Sequence, residues 1–352
     1  MNKSFAYIFL LLFSFPIAGF GQTYAERLGW EPDDRVIIMH IDDAGMSYDS
    51  NQGAIKAMEG IANSVSVMMP CPWAASFIRY AKENPEVDAG LHLTLTSEWQ
   101  DYRWEPLMGV EAVPGLIDPE GAMWHRVDQV ASNATPDEVE AEIRAQVERT
   151  LNMGYRPTHL DSHMGTLFAT EGFLERYIKV GAEYGIPVML PGGHNTMLRQ
   201  QYRDEAIRAL KKAGKYQEGM DVPLPKVLDR AESVGKKVWE AGLPVLDDLH
   251  NTSGGWGVPE GQEKTAENIT EVKVQEFLKA FEQLKPGVTM FIVHCTDPTE
   301  VFSHISGSGL SREGDMLAML DPRLKQYIQD HDIKMTTWRE LKQRRDKVAA
   351  QK

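Results

Sequence analysis

Four separate stretches of this 352-residue chain place histidine or aspartate where an apolar run stops. Asp42 and Asp43 follow Arg35-Val-Ile-Ile-Met-His-Ile41, and His92 lies within Gly90-Leu-His-Leu-Thr-Leu-Thr96. His159, Asp161 and His163 share Pro157-Thr-His-Leu-Asp-Ser-His163, and His294 closes the run from Val288. An imidazole or carboxylate at the end of an apolar strand costs free energy unless it is paired or metal-bound. If the strand through His159 continues, positions 159, 161 and 163 face one way, and two imidazoles and a carboxylate line one wall. Two nitrogens and a carboxylate with open positions suit a divalent ion that activates water. Magnesium and zinc come first, with manganese, cobalt and nickel also chemically suitable. Such an ion acidifies water and polarises a carbonyl oxygen. A separate carboxylate could take a proton and a histidine give one to the leaving group, which describes hydrolysis of an amide or ester. Singly the motifs have plainer readings: Asp42-Asp43 before Gly45 as a turn, His92 as a hydrogen-bonded core residue.

Bringing four strand ends to one place requires a sheet that closes on itself. Strands are expected at 35–41, 64–69, 87–94, 158–162, 186–190, 243–246 and 288–294, each short, apolar and bounded by turn residues. Between them lie helical patterns at 47–59, 73–82, 133–152, 171–184, 226–240 and 272–284, with a strand running into a helix over 334–345. The helix before Gly154 carries the strongest signature, with Thr135 as N-cap, Pro136 at the first position and Glu138 for a capping box. This alternation implies parallel strands with crossover helices, hence an α/β fold. The expected architecture is a distorted parallel β/α barrel, TIM-like, in one domain spanning 22–352. The stretches 98–129 and 191–219 read as long loop insertions upon it. An open doubly wound sheet is the alternative, but no G-x-G-x-x-G follows the first strand, which weakens a dinucleotide-binding reading.

With 37 Lys+Arg against 51 Asp+Glu, the net charge of −14 argues against nucleic acid or an anionic membrane surface as main partner. Two cysteines rule out a disulfide scaffold and a four-thiolate zinc site. Met1–Gly21 reads as a secretory signal peptide: Lys3, an apolar stretch from Phe5 to Phe15, and Gly19 and Gly21 before a cut at Gln22. Pro16 interrupts that stretch, which is shorter than the roughly 20 residues a span needs. The mature chain is therefore expected in the periplasm or outside the cell, without a stable membrane anchor.

Asp42-Asp43-Ala-Gly45 after a first strand, the Gly90–Thr96 and Pro157–His163 motifs, and the late strand ending at His294 together resemble the YdjC-type carbohydrate deacetylases, which include chitooligosaccharide deacetylases. Order and spacing agree from about Arg35 to Leu341. The resemblance implies a distorted β/α barrel, one divalent metal ion and an N-acetylated sugar or oligosaccharide as substrate. It assigns Asp43, His92 and His163 as metal ligands, Asp42 as general base and His294 as general acid. His159 and Asp161 are expected to contact substrate or to orient His163 from behind. Three departures alter the walls of the site: Ala44 where the family has phenylalanine, Met164-Gly165 where further histidines often follow, and Cys295-Thr-Asp297 where proline is usual.

The expected function is thus a secreted, metal-dependent hydrolase that releases acetate from an N-acetylated sugar. The alternatives are another metal hydrolase on the same barrel, acting on esters or phosphoesters, and a carbohydrate-binding protein without catalysis. A phosphate substrate would favour a cationic pocket, and basic residues do not cluster around the four motifs. Trp256, in the glycine-rich loop after His250, reads either as a sugar-stacking indole or as an ordinary loop tryptophan; so do Trp99 and Trp104. Inert packing is favoured for Cys71 and Cys295, with a disulfide between them as the alternative.

Overall fold

The computed structural model describes residues 21–351, so the leader reading, apart from Gly21, lies outside the described residues. The central strand is β1 (Arg35–Ala44), flanked by β2 (Ser64–Val67) and β6 (Gly287–His294). Beyond these lie β3 (Ala89–Leu93), β4 (Leu160–Ser162) and β5 (Asp248–His250), in the order β4-β3-β2-β1-β6-β5, every pair parallel. A two-residue strand, β7 (Lys334–Met335), pairs with the start of β1. Parallel bridges Leu160↔Val188 and Pro191↔Leu246 continue the path from β4 towards β5. The expected barrel therefore exists, closed on that side by irregular backbone.

Two of the expected strands are reduced to those bridges. Pro187, Pro191 and Pro244 have no N–H to give a ladder, and Gly192 and Gly193 follow immediately. The regular strand falls instead on Asp248–His250. The stretch expected as a loop at 191–219 holds a helix, Thr196–Lys212, which buries only Met197 and Leu198 and so lacks the apolar stripe that marks a helix in sequence. The helix before Gly154 spans Pro136–Asn152 with the Thr135–Glu138 capping box in place. A further helix at Gly309–Leu320 had no counterpart in the sequence reading.

Alternation along the central strands divides the core. Ile37, Met39 and Ile41 pack outward against helices, while Val36 and Ile38 join Val288, Met290 and Ile292 of β6 in the barrel interior. The same inward column continues as His40 and Asp42 on β1 and ends in His294 on β6, register partner of Asp42. The interior is thus apolar at one end and ionisable at the C-terminal end of the strands. Trp338, first residue of the last helix and fully buried, closes the column beneath the polar layer.

Candidate functional site

Asp43 occupies a backbone position that few side chains tolerate. The β1–β2 register shifts between Ile41 and Ala44, and Asp43 has φ 66°, in the left-handed region that aspartate adopts more readily than β-branched residues. This irregularity aims consecutive aspartates at one cavity: Asp42 and Asp43 both line a 330 Å³ space with His92, His163 and His294.

Within it, His92 Nε2 and His163 Nδ1 each lie 3.3 Å from Asp43 Oδ1. That oxygen is buried and has no hydrogen-bond partner. The other nitrogen of each ring is held by a carboxylate: His92 Nδ1 by Asp161 Oδ1 at 2.6 Å, His163 Nε2 by Glu98 at 3.0 Å. Ionised carboxylates only accept, so these contacts leave the lone pairs of His92 Nε2 and His163 Nδ1 facing Asp43 whenever the rings are neutral. The three donor atoms lie within 4.8 Å of one another. An orphaned carboxylate oxygen facing two imidazoles, each braced from behind, fits a divalent ion. Without one, protons collect there. Burial opposes charge on both rings, yet Asp42 and Asp161 raise His92 well above its ordinary value, and Glu98 and Asp43 push His163 up to about 9. Burial likewise opposes charge on Asp43, but Arg312, His163 and His92 hold its carboxyl well below the usual range.

Asp42 stands beside this cluster, its Oδ2 3.7 Å from His92 Nε2 and 4.0 Å from His294 Nε2. Its other oxygen is 3.1 Å from His40 Nε2, which also reaches Asp161 Oδ2 at 2.9 Å. His40 is fully buried and its Nδ1 contacts Ser64 Oγ at 3.0 Å. Burial disfavours its charge, but Asp161 and Asp42 push it up to about 9, so it bridges the two carboxylates as a cation. Arg312, on the Gly309–Leu320 helix, pairs with Asp43 Oδ2 at 2.7 Å and among the described residues is the only lysine or arginine lining the cavity. Another group of possible donors, Asp118, Glu120 and His125, is already spanned by Arg103 at 2.6 to 2.8 Å.

A family model described as YdjC-like protein matches residues 36–330. The chain belongs to this family. A chain named carbohydrate deacetylase in Thermus thermophilus is 27% identical over 323 residues, covering 90% of this chain and 97% of its own. Another so named, from Brevibacillus brevis, is 34% identical over 170 residues, 48% of this chain and 63% of that one. Against the solved structure of an Enterococcus faecalis protein described as a cellobiose-phosphate cleavage protein, the TM-score is 0.62 at 18% identity, covering 88% of this chain and 99% of that one, which establishes a common fold.

The expectations for Asp161, for His159 and for a single wall from 159 to 163 need correction against this geometry, whereas the inert packing favoured for the cysteines holds. Asp161 bonds His92, not His163; the residue behind His163 is Glu98. His163 leaves the strand, because β4 ends at Ser162 and a 3-10 turn begins, so the three motif residues do not form one wall. His159 does not line the cavity that holds Asp42 and Asp43: it is fully buried, stacked on Trp338 with centroids 5.2 Å apart, and burial lowers its pKa. Gly90 is required for this, since a β-carbon there would run into the His159 imidazole. Trp256 lines a separate cavity with His250 and packs on Phe277 at 4.8 Å. Trp99 and Trp104 join an apolar cluster with Met46, Met68 and Phe302. Cys71 and Cys295 are buried and unpaired, and burial raises both thiols well above the ordinary range. Three participants were missed. His40 could have been found from its place two residues before Asp42 on the same strand face. Glu98 stands just beyond the strand that carries His92, whereas Arg312 lies in a segment with no local signal.

Proposed function

We propose that this chain is a metal-dependent carbohydrate deacetylase that hydrolyses the acetamide of an N-acetylated sugar or oligosaccharide. The observation that carries the reading is the orphaned Asp43 oxygen facing His92 and His163, with Asp42 and His294 in the same cavity. The names of its relatives in Thermus thermophilus and Brevibacillus brevis support carbohydrate as the substrate class.

Asp43, His92 and His163 would hold the ion, which when bound supplies a Lewis acid that polarises the acetyl carbonyl and makes water more acidic. Asp161 and Glu98 fix the two imidazoles. Asp42 takes the proton from the attacking water, while the His40 cation opposite holds its carboxylate in place. His294, 4.0 Å from Asp42, delivers a proton to the departing nitrogen. Arg312 offsets the accumulated negative charge from the Asp43 side.

The test is acetate release from a panel of N-acetylated mono- and oligosaccharides, by chelated protein and after adding single divalent metals. Metal-dependent release is expected; none from any sugar, with metal bound, refutes the reading. Export also belongs to the proposal, on the Met1–Gly21 pattern. Expressed in a bacterium with its leader, the exported protein should begin at Gln22 by mass spectrometry, and an intact Met1 on exported material would refute cleavage.

A further inference from the structure

A second cavity, of 250 Å³, adjoins the catalytic one. The two meet at a common wall, with Met164, Phe168, Met189, Leu198, Tyr202 and Leu249 lining both. The far wall is aliphatic, built from Leu174, Val227, Ala231 and Val234. Among the described residues Tyr202 carries the only hydroxyl, and no lining side chain is charged. A sugar ring placed there would lose hydrogen bonds around its whole edge, whereas a hydrocarbon chain would lose none. The opening follows directly on His163: Met164 and Gly165 are both left-handed, at φ 52° and 66°, and the Met164 side chain is left 49% exposed at the junction.

We propose, resting on the deacetylase reading above, that the amide this site cleaves best carries an acyl chain longer than acetyl, seated in this apolar annex. The acyl carbon is the substrate atom that must meet Asp42 and the Asp43–His92–His163 cluster. The annex opens at the residue after His163, so a chain continuing from that carbon enters it without crossing the sugar. Water adds its hydroxyl to the acyl carbon and a proton to nitrogen as the C–N bond breaks, giving a carboxylic acid and an amine, and the acid's proton then passes to the amine to leave a carboxylate and an ammonium group.

The experiment measures kcat/KM of the metal-loaded protein on glucosamine N-acylated with acetyl, butanoyl, hexanoyl and octanoyl groups, following amine release. Each buried methylene can contribute up to about fourfold, and a rise of at least roughly tenfold from acetyl to hexanoyl is expected. Ala231→Trp, which fills the annex away from the catalytic groups, should abolish that rise and leave acetyl hydrolysis unchanged. Should that variant fail to fold, the wild-type chain-length series decides alone. Acetate release with flat or falling rates on longer chains overturns this proposal and leaves the deacetylase reading standing. So does a gain confined to octyl glycosides of N-acetylglucosamine, which would put a glycosidic alkyl group in the annex. Absence of amine release from every substrate overturns both.

Discussion

Asp42 and Asp43 are neighbours in sequence with opposite surroundings. Asp43 has one oxygen on Arg312 and the other facing two imidazoles, whereas Asp42 meets His40 and the open cavity. Substituting them should therefore give different defects. Asp42→Asn is expected to lower kcat by about 10²–10⁴ while the metal content found by elemental analysis stays at the wild-type level. His163→Ala should lose metal and activity together. Normal turnover by Asp42→Asn with metal bound would remove Asp42 as the base. Glu98 acts one step back. By fixing the His163 tautomer it should strengthen metal binding, so Glu98→Gln is expected to weaken metal affinity about 10–100-fold in a competition titration with a chromogenic chelator. Unchanged affinity would reduce the contact to surface pairing.

At the scale of the elements, β5 carries a titratable group in an apolar setting. His250, at the end of that strand, packs between Trp256 and Phe291 with centroids 5.6 and 4.8 Å away. Burial pulls its pKa from 6.5 down to about 4, and its Nδ1 has no partner. The folded state thus binds this proton less tightly than the unfolded chain. Its contribution is intact above pH 6.5 and is lost as pH falls from there towards 4. The full loss is about 3 kcal/mol. His250→Phe keeps the aromatic packing, and in denaturant titrations at a series of pH values it should lose less stability on acidification than the wild type. Equal acid sensitivity in both proteins would mean that the burial of this imidazole does not govern it.

For the whole molecule, the polar layer is held by separate parts of the chain. β1, β3, β4 and β6, the loop bearing Glu98 and the helix bearing Arg312 all contribute to one cavity. An ion bound there would favour only the folded chain, by about 2.7 kcal/mol at a hundredfold excess over Kd. Chelation should accordingly lower Tm by several degrees, and adding back the metal that supports activity should restore it. An unchanged Tm would dissociate the cluster from metal binding. By itself the sequence determined the α/β alternation, the capped helix before Gly154 and the polar ends of the strands, because hydrophobic period, turn residues and caps act over a few neighbouring positions. It also brought Asp42, Asp43, His92, His163 and His294 together in expectation, since closure of a barrel leaves their strand ends nowhere else to go. Which carboxylate braces which imidazole was decided only by tertiary structure. The end of β4 at Ser162 turned His163 towards Glu98 and left Asp161 to His92, and the meeting of inward side chains from β1 and β4, separated by two strands in the sheet, put His40 between Asp42 and Asp161. The polar Thr196–Lys212 helix and Arg312 belong with these, because what places them is packing against residues remote in the chain, which leaves no periodic mark on the local sequence.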